Sequence, residues 1–213
     1  MTEFVYSPPN TPLELIHEDH ELLVVNKPAG LLSVPGKGDH LKDCLITRLQ
    51  AAFPEALLVH RLDMDTSGVI VFARTPAAQR HLGLQFEKRM MKKSYLALVW
   101  GQVDGKEGVI DLPLIVDWPN RPLQKVCHET GRAAVTEWKV LRHDETNTRI
   151  RLFPQTGRSH QLRVHMRELG HPILGDPLFL IKLDSILIKT MLCNRFTHFT
   201  HQLLVVIQIM NRI

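Results

Sequence analysis

Cysteine is scarce in this chain and badly placed for a structural role. The three present, Cys44, Cys127 and Cys193, form no ligand-spaced pair and no even set. A disulfide framework and a cysteine-built zinc site are therefore not expected, and a reducing cytoplasm fits best. No apolar stretch approaches the roughly 20 residues of a membrane span, and residues 1–12 are polar and proline-rich rather than signal-like. Neither membrane association nor secretion is expected. His160 and His165 stand five apart, without the glutamate of a metalloprotease helix, so no metal is expected either. Gly101, Gly105 and Gly108 open no helix, which removes a phosphate loop, and no repeat of 20–50 residues is visible.

Net charge offers little guidance. The total is +4, but residues 178–213 carry Lys182, Lys189, Arg195 and Arg212 against Asp184 alone. Elsewhere 22 basic side chains face 21 acidic ones, so bulk charge does not predict a polyanionic partner. Local clusters do better: Lys88 with Arg89, Lys92 with Lys93, and Arg149, Arg151 and Arg158 are spaced to meet phosphates. Each cluster alone reads better as a solvated face.

The chain is long enough for one compact domain, extended into two lobes at most. Residues 22–25 form a short apolar strand that Pro28 ends. Residues 39–53 read as a helix, with Leu41, Leu45, Leu49 and Ala52 on one stripe. Thr75 and Pro76 have the chemistry of a helix cap and first turn, and Ala78, Leu82 and Phe86 give that helix its buried face. Further strands are expected at 95–99, 109–112, 135–141 and 149–153, and a helix at 159–169 with Ser159 as N-cap and Gly170 as stop. Strands that outnumber helices and follow one another directly imply an α+β fold: a mixed, mainly antiparallel sheet with flanking helices.

The most informative segment is His60-Arg61-Leu62-Asp63-Met64-Asp65-Thr66-Ser67-Gly68, followed by the apolar run 69–73. The run reads as a buried strand, so an arginine and a carboxylate sit on the loop entering it. Taken alone, such an aspartate commonly braces a turn. A carboxylate beside a permanent cation, however, stays ionised, as a nucleophile must. Asp63 and Asp65 do not read as a glycosidase pair, because neighbours two apart on a loop need not converge. Asp65 is expected to face solvent.

The whole string resembles the catalytic loop of the RluA-type pseudouridine synthases. Other segments agree in the same order: 22–31 (through Asn26-Lys27-Pro28), 93–101 (Lys93-Ser94-Tyr95), 156–165 (Thr156-Gly157-Arg158-Ser159-His160-Gln161-Leu162-Arg163) and 170–176 (Gly170 to Asp176). The resemblance implies a sheet with a central RNA-binding cleft and a catalytic domain over 15–179, preceded by an extension at 1–14. It implies Asp63 as the catalytic carboxylate, Tyr95 stacked on the target base, and Arg163 paired with Asp63. It assigns RNA contacts to Arg61, His60, Lys93, Arg158 and His160, with Arg61 filling the stack that an extruded uridine vacates. Without the resemblance, Tyr95 reads as core and Arg163 as helix surface.

The reaction class implied, conversion of uridine to pseudouridine, oxidises nothing and needs no cofactor. The implied partners are stem-loops of transfer RNA (the anticodon arm) and large-subunit ribosomal RNA, with no obligate protein partner and a monomeric enzyme. An RNA-binding protein that keeps the cleft without catalysing is the alternative. The resemblance stops near residue 179. All twelve glycines and thirteen prolines lie at or before Pro177, and no Leu-His-Ala strand follows. A divergent tail at 180–213, from a shifted reading frame or another disruption of the gene, is expected; translating the other frames of the gene tests that expectation.

Overall fold

A computed structural model describes residues 5–179 and the backbone of 203–208. Packing divides the chain into two compact units, Met1–Lys92 with Leu204–Ile213, and Lys93–Leu203. The expected tail disruption lies outside the described residues, apart from the backbone of one strand, Leu203–Gln208.

The first unit contains β1 (Glu14–Glu18), β2 (Leu22–Lys27), α1 (Leu45–Ala52), β3 (Leu57–Leu58), β4 (Thr66–Ala73) and α2 (Pro76–Glu87). Strands run in the order β1-β2-β4, with β3 on the far side of β4, and every pairing is antiparallel. Both faces of β2 and β4 are apolar, because the run of branched residues leaves no polar side to expose. Leu22, Val24, Val71 and Ala73 pack with Ala78 and Leu82 of α2. Leu23, Val25, Ile70 and Phe72, on the alternate positions, are also fully buried. Thr75 Oγ1 accepts from Ala78 N at 3.1 Å and Pro76 follows it, as its cap chemistry predicts.

The expected helix at 39–53 is shorter. A 3-10 turn at Asp39–Leu41 precedes α1, which starts only after Cys44. Thr47 is responsible: its hydroxyl accepts from Cys44 N at 3.1 Å, closing a capping box that fixes the helix start there. Ile46 joins Leu45 and Leu49 in the buried face, while Ala52 is exposed.

The second unit contains β5 (Lys92–Trp100), β6 (Glu107–Asp111), β7 (Leu114–Val116), β8 (Gln124–Val126), β9 (Val135–His143), β10 (Asn147–Pro154) and α3 (Gln161–Glu168). Its main sheet has the order β5-β10-β9-β6, all antiparallel, and β7 and β8 form a separate hairpin. Ala97, Val99, Ile110, Trp138, Ile150 and Leu152 meet Leu162 and Met166 of α3 in the core. The α+β class and mainly antiparallel sheet are therefore as expected. No helix among the described residues is long and apolar enough to cross a membrane.

Ser159 is not the cap of α3. His160 occupies that position in the left-handed region (φ 53°), without a capping side chain. Gln161, the first helical residue, braces the preceding turn instead, its Oε1 accepting from Arg158 N at 3.0 Å and from the Thr156 hydroxyl at 2.7 Å. The C-terminal reading holds: Gly170 has φ 89°, and His171 N reaches back to Met166 O at 2.9 Å.

Candidate active site

The loop at 60–65 is braced by backbone hydrogen bonds at Leu62, Asp63 and Met64. Ser33 Oγ donates to Leu62 O at 2.6 Å and accepts from Leu62 N at 3.1 Å. Gly30 N donates to Met64 O at 2.9 Å, from a turn whose φ of 80° suits glycine. Thr66 N donates to Asp63 O at 3.1 Å, closing the turn that leads into β4. At the other end, His60 Nε2 accepts from Val71 N at 3.2 Å, and its ring stacks on Phe86 with centroids 4.6 Å apart. The loop geometry is thus fixed independently of any ligand. Asp63 is half-buried within it and Arg61 is exposed at its edge.

Beneath the loop lies Lys27, 0% exposed. Its ammonium donates to Met64 O at 2.8 Å, Thr66 O at 2.9 Å and Pro28 O at 2.9 Å. Burial pushes its pKa down to about 7, while the nearby charges of Asp65 and Asp63 push back up. Three carbonyl acceptors favour the charged form as well, since a neutral amine donates only two hydrogens. Asp65 is accordingly not the solvent-facing residue expected. It is half-buried, and its charge is felt by Lys27.

In the second unit, Tyr95 is half-buried on β5 and packs against the core, and Lys93 Nζ reaches Thr156 O at 3.5 Å. That contact places Lys93 above the turn bearing Arg158, whose Nε donates to Ala133 O at 3.1 Å. Arg163 is not the helix-surface residue that it resembles in isolation. It is 7% exposed and holds Asp176 through two bonds, Nε to Oδ2 at 2.6 Å and Nη2 to Oδ1 at 2.5 Å. Asp176 Oδ1 also accepts from Leu178 N at 2.9 Å and Phe179 N at 3.1 Å. Phe179 is 1% exposed, under the guanidiniums of Arg163 and Arg167 and against the edge of His160. Ordered packing therefore continues through Phe179, to the end of the matched motifs.

A polar relay anchors α3 to the sheet. Gln161 Nε2 donates to Thr136 Oγ1 at 3.0 Å, and Thr136 meets His165 Nδ1 at 2.9 Å. His165 Nε2 faces Leu112 O at 3.1 Å, so that nitrogen carries the proton and the Thr136 hydroxyl donates to Nδ1. Burial pushes the His165 pKa down. Lys27 and Asp176 lie inside the motifs, but their roles emerge only from the fold. A lysine ending an apolar strand was the available signal for the first. The second had none, because a pairing across a helix and a turn has no local pattern.

The loop at 60–65, Lys27, Lys93, Tyr95, Arg158 and Arg163 all fall in a stretch that matches a known family. The RNA pseudouridylate synthase profile covers residues 21–168, and the chain belongs to that family. It is 59% identical over 166 residues to the dual-specificity RNA pseudouridine synthase RluA of Yersinia pestis, covering 78% of this chain and 81% of that one. Against the protein of the same name from Escherichia coli K12 it is 57% identical over 176 residues, with 82% and 80% covered. For Vibrio vulnificus the values are 51% over 185 residues, 84% and 74%. Among solved structures, human RNA Pseudouridylate Synthase Domain Containing 1 aligns with a TM-score of 0.74 at 26% identity, over 93% of this chain and 79% of that one. The RluA-type kinship expected from the motifs is correct, and the chain is an RNA pseudouridine synthase.

Proposed function

We propose that this enzyme isomerises particular uridines in stem-loops of transfer RNA, the anticodon arm included, and of large-subunit ribosomal RNA. The dual-specificity name of its relatives supports two kinds of RNA substrate. Asp63 acts at the anomeric carbon as the N-glycosidic bond breaks. The freed uracil turns, rejoins the ribose through carbon 5, loses its carbon 5 proton to solvent and takes up a proton at nitrogen 1. Nothing is oxidised, so the chain's own side chains suffice and no cofactor enters.

The observation that carries this reading is the braced loop, which holds the half-buried Asp63 carboxylate in place before RNA arrives. Tyr95 stacks on the detached base, and its hydroxyl assists proton transfer. Arg163 balances the charge of Asp63. Extruding a base costs a few kcal/mol, and a planar guanidinium is suited to fill the gap, the task assigned to Arg61. Lys93, Arg158, His160 and His60 contact the RNA around it. The enzyme works as a monomer in the cytoplasm. An RNA-binding protein without catalysis finds no support in the comparisons.

Tritium release from RNA labelled at uracil carbon 5 tests the substrate claim. Release from an anticodon stem-loop and from a ribosomal RNA hairpin, but not from an unstructured strand, is expected. Equal release from all three would contradict stem-loop selection.

A further inference from the structure

Among the described residues, Trp118 is the one aromatic in the set of strongly exposed large apolar side chains, 64% exposed. The hydrophobic effect disfavours leaving an indole in water, yet most of this side chain remains there. It sits at the tip of the β7–β8 hairpin, with the Arg121 guanidinium 3.9 Å from its ring centroid. Arg121 holds no carboxylate among the described residues, so its cation stays available beside the ring.

The tip is rigid. Asp117 N donates to Leu123 O at 2.9 Å, Leu123 N to Asn120 O at 3.0 Å, and Asn120 N to Asp117 O at 2.9 Å. Asn120 Nδ2 adds a bond to Asp117 Oδ2 at 2.8 Å, and Lys125 lies 3.7 Å from the same carboxylate. The root of the hairpin is fixed too, since Leu123 and Val126 pack on Val164 and Phe179. Val164 neighbours Arg163 on α3, so the tip is carried by the helix that bears a proposed active-site arginine.

We propose that this tip is an RNA-recognition element: Trp118 is a stacking platform for an unpaired base, and Arg121 serves the adjacent phosphate. An exposed indole with a guanidinium alongside suits unstacked bases, which single-stranded loops display and duplexes do not. A platform fixed before binding loses little entropy on contact, which explains the dense stitching around so small a loop. The inference rests on the enzyme acting on RNA, and it adds a determinant of which loop is chosen.

The test compares wild type, Trp118→Ala and Trp118→Phe in tritium release from an anticodon stem-loop, alongside tryptophan fluorescence during RNA titration. Trp118→Ala should raise KM about 10-fold with kcat at saturating RNA unchanged, while Trp118→Phe stays within about 3-fold of wild type. RNA should quench wild-type fluorescence more than that of Trp118→Phe. Arg121→Met should lower the salt slope of binding by about one unit. Unchanged KM in Trp118→Ala, or equal quenching in wild type and Trp118→Phe, would overturn the proposal. Absence of tritium release by the wild type itself would instead indict the functional reading, so the two failures are distinguishable.

Discussion

Replacing Asp176 by asparagine changes one atom of the Arg163 pair and keeps its shape. The side chains of the pair are 8% and 3% exposed, so little water is at hand to replace what is lost. Asparagine oxygen in the Oδ1 position still accepts from Arg163 Nη2, Leu178 N and Phe179 N, the three donors that share that atom. Its amide, however, points a donor at Arg163 Nε, where the wild-type Oδ2 accepts at 2.6 Å. Removing one partner of a buried ion pair costs about 3–5 kcal/mol, and the three surviving bonds put Asp176→Asn near the lower end, ~3 kcal/mol. For a chain of this size that lowers the midpoint of thermal unfolding by ~6–12 °C. Because Arg163 is proposed to balance the Asp63 charge, kcat for tritium release should fall at temperatures where the variant remains folded. Arg163→Met added to Asp176→Asn should cost less than the two changes summed, since their shared pair is lost only once. A stability loss under about 1 kcal/mol, or additive effects, would refute the assigned weight of this pair.

Three further outcomes follow from the buried polar groups. Lys27→Met leaves Thr66 O and Pro28 O without their buried donor and should cost ~2 kcal/mol in urea unfolding at pH 7. The folded pKa of Lys27 is about 7 against an ordinary 10.5, so wild type should gain stability as pH rises through that window; Lys27→Met should lose this gain, and an identical slope would contradict the argument. His165 is held below its ordinary 6.5, so the unfolded chain takes up a proton first and stability should fall as pH drops through that value. Urea titrations of His165→Gln should show a flatter dependence there. Thr75→Ala should cost about 1 kcal/mol through the lost cap of α2, checked by thermal unfolding.

The sequence was most readable where local chemistry decides the outcome. The strand at 95–99, the Thr75–Pro76 start and the Gly170 stop each depend on a few neighbouring residues, and each appears in the structure as expected. The helix at 39–53 was over-extended because apolar periodicity continues through a segment that the Cys44–Thr47 capping box interrupts. Ser159 does not cap α3 because His160, in the left-handed region, takes the N-cap position, and Gln161 ties down the turn before it. Arg163 and Lys27 show the deeper limit. A lone arginine on a helix and a lone lysine after a strand are ordinarily solvated, and only the fold reveals Asp176 facing the one and three carbonyls facing the other. The motif around Asp63 was legible because it is compact: the turn, its entry strand and the carboxylate are contiguous.

The most direct test of the central claim is tritium release from a stem-loop labelled at uracil carbon 5, measured for wild type and Asp63→Ala under single-turnover conditions. Wild type should release the label, and Asp63→Ala should bind the same RNA, remain folded at the assay temperature, and release none above background. Release by Asp63→Ala at the wild-type rate would show that the chemistry resides elsewhere.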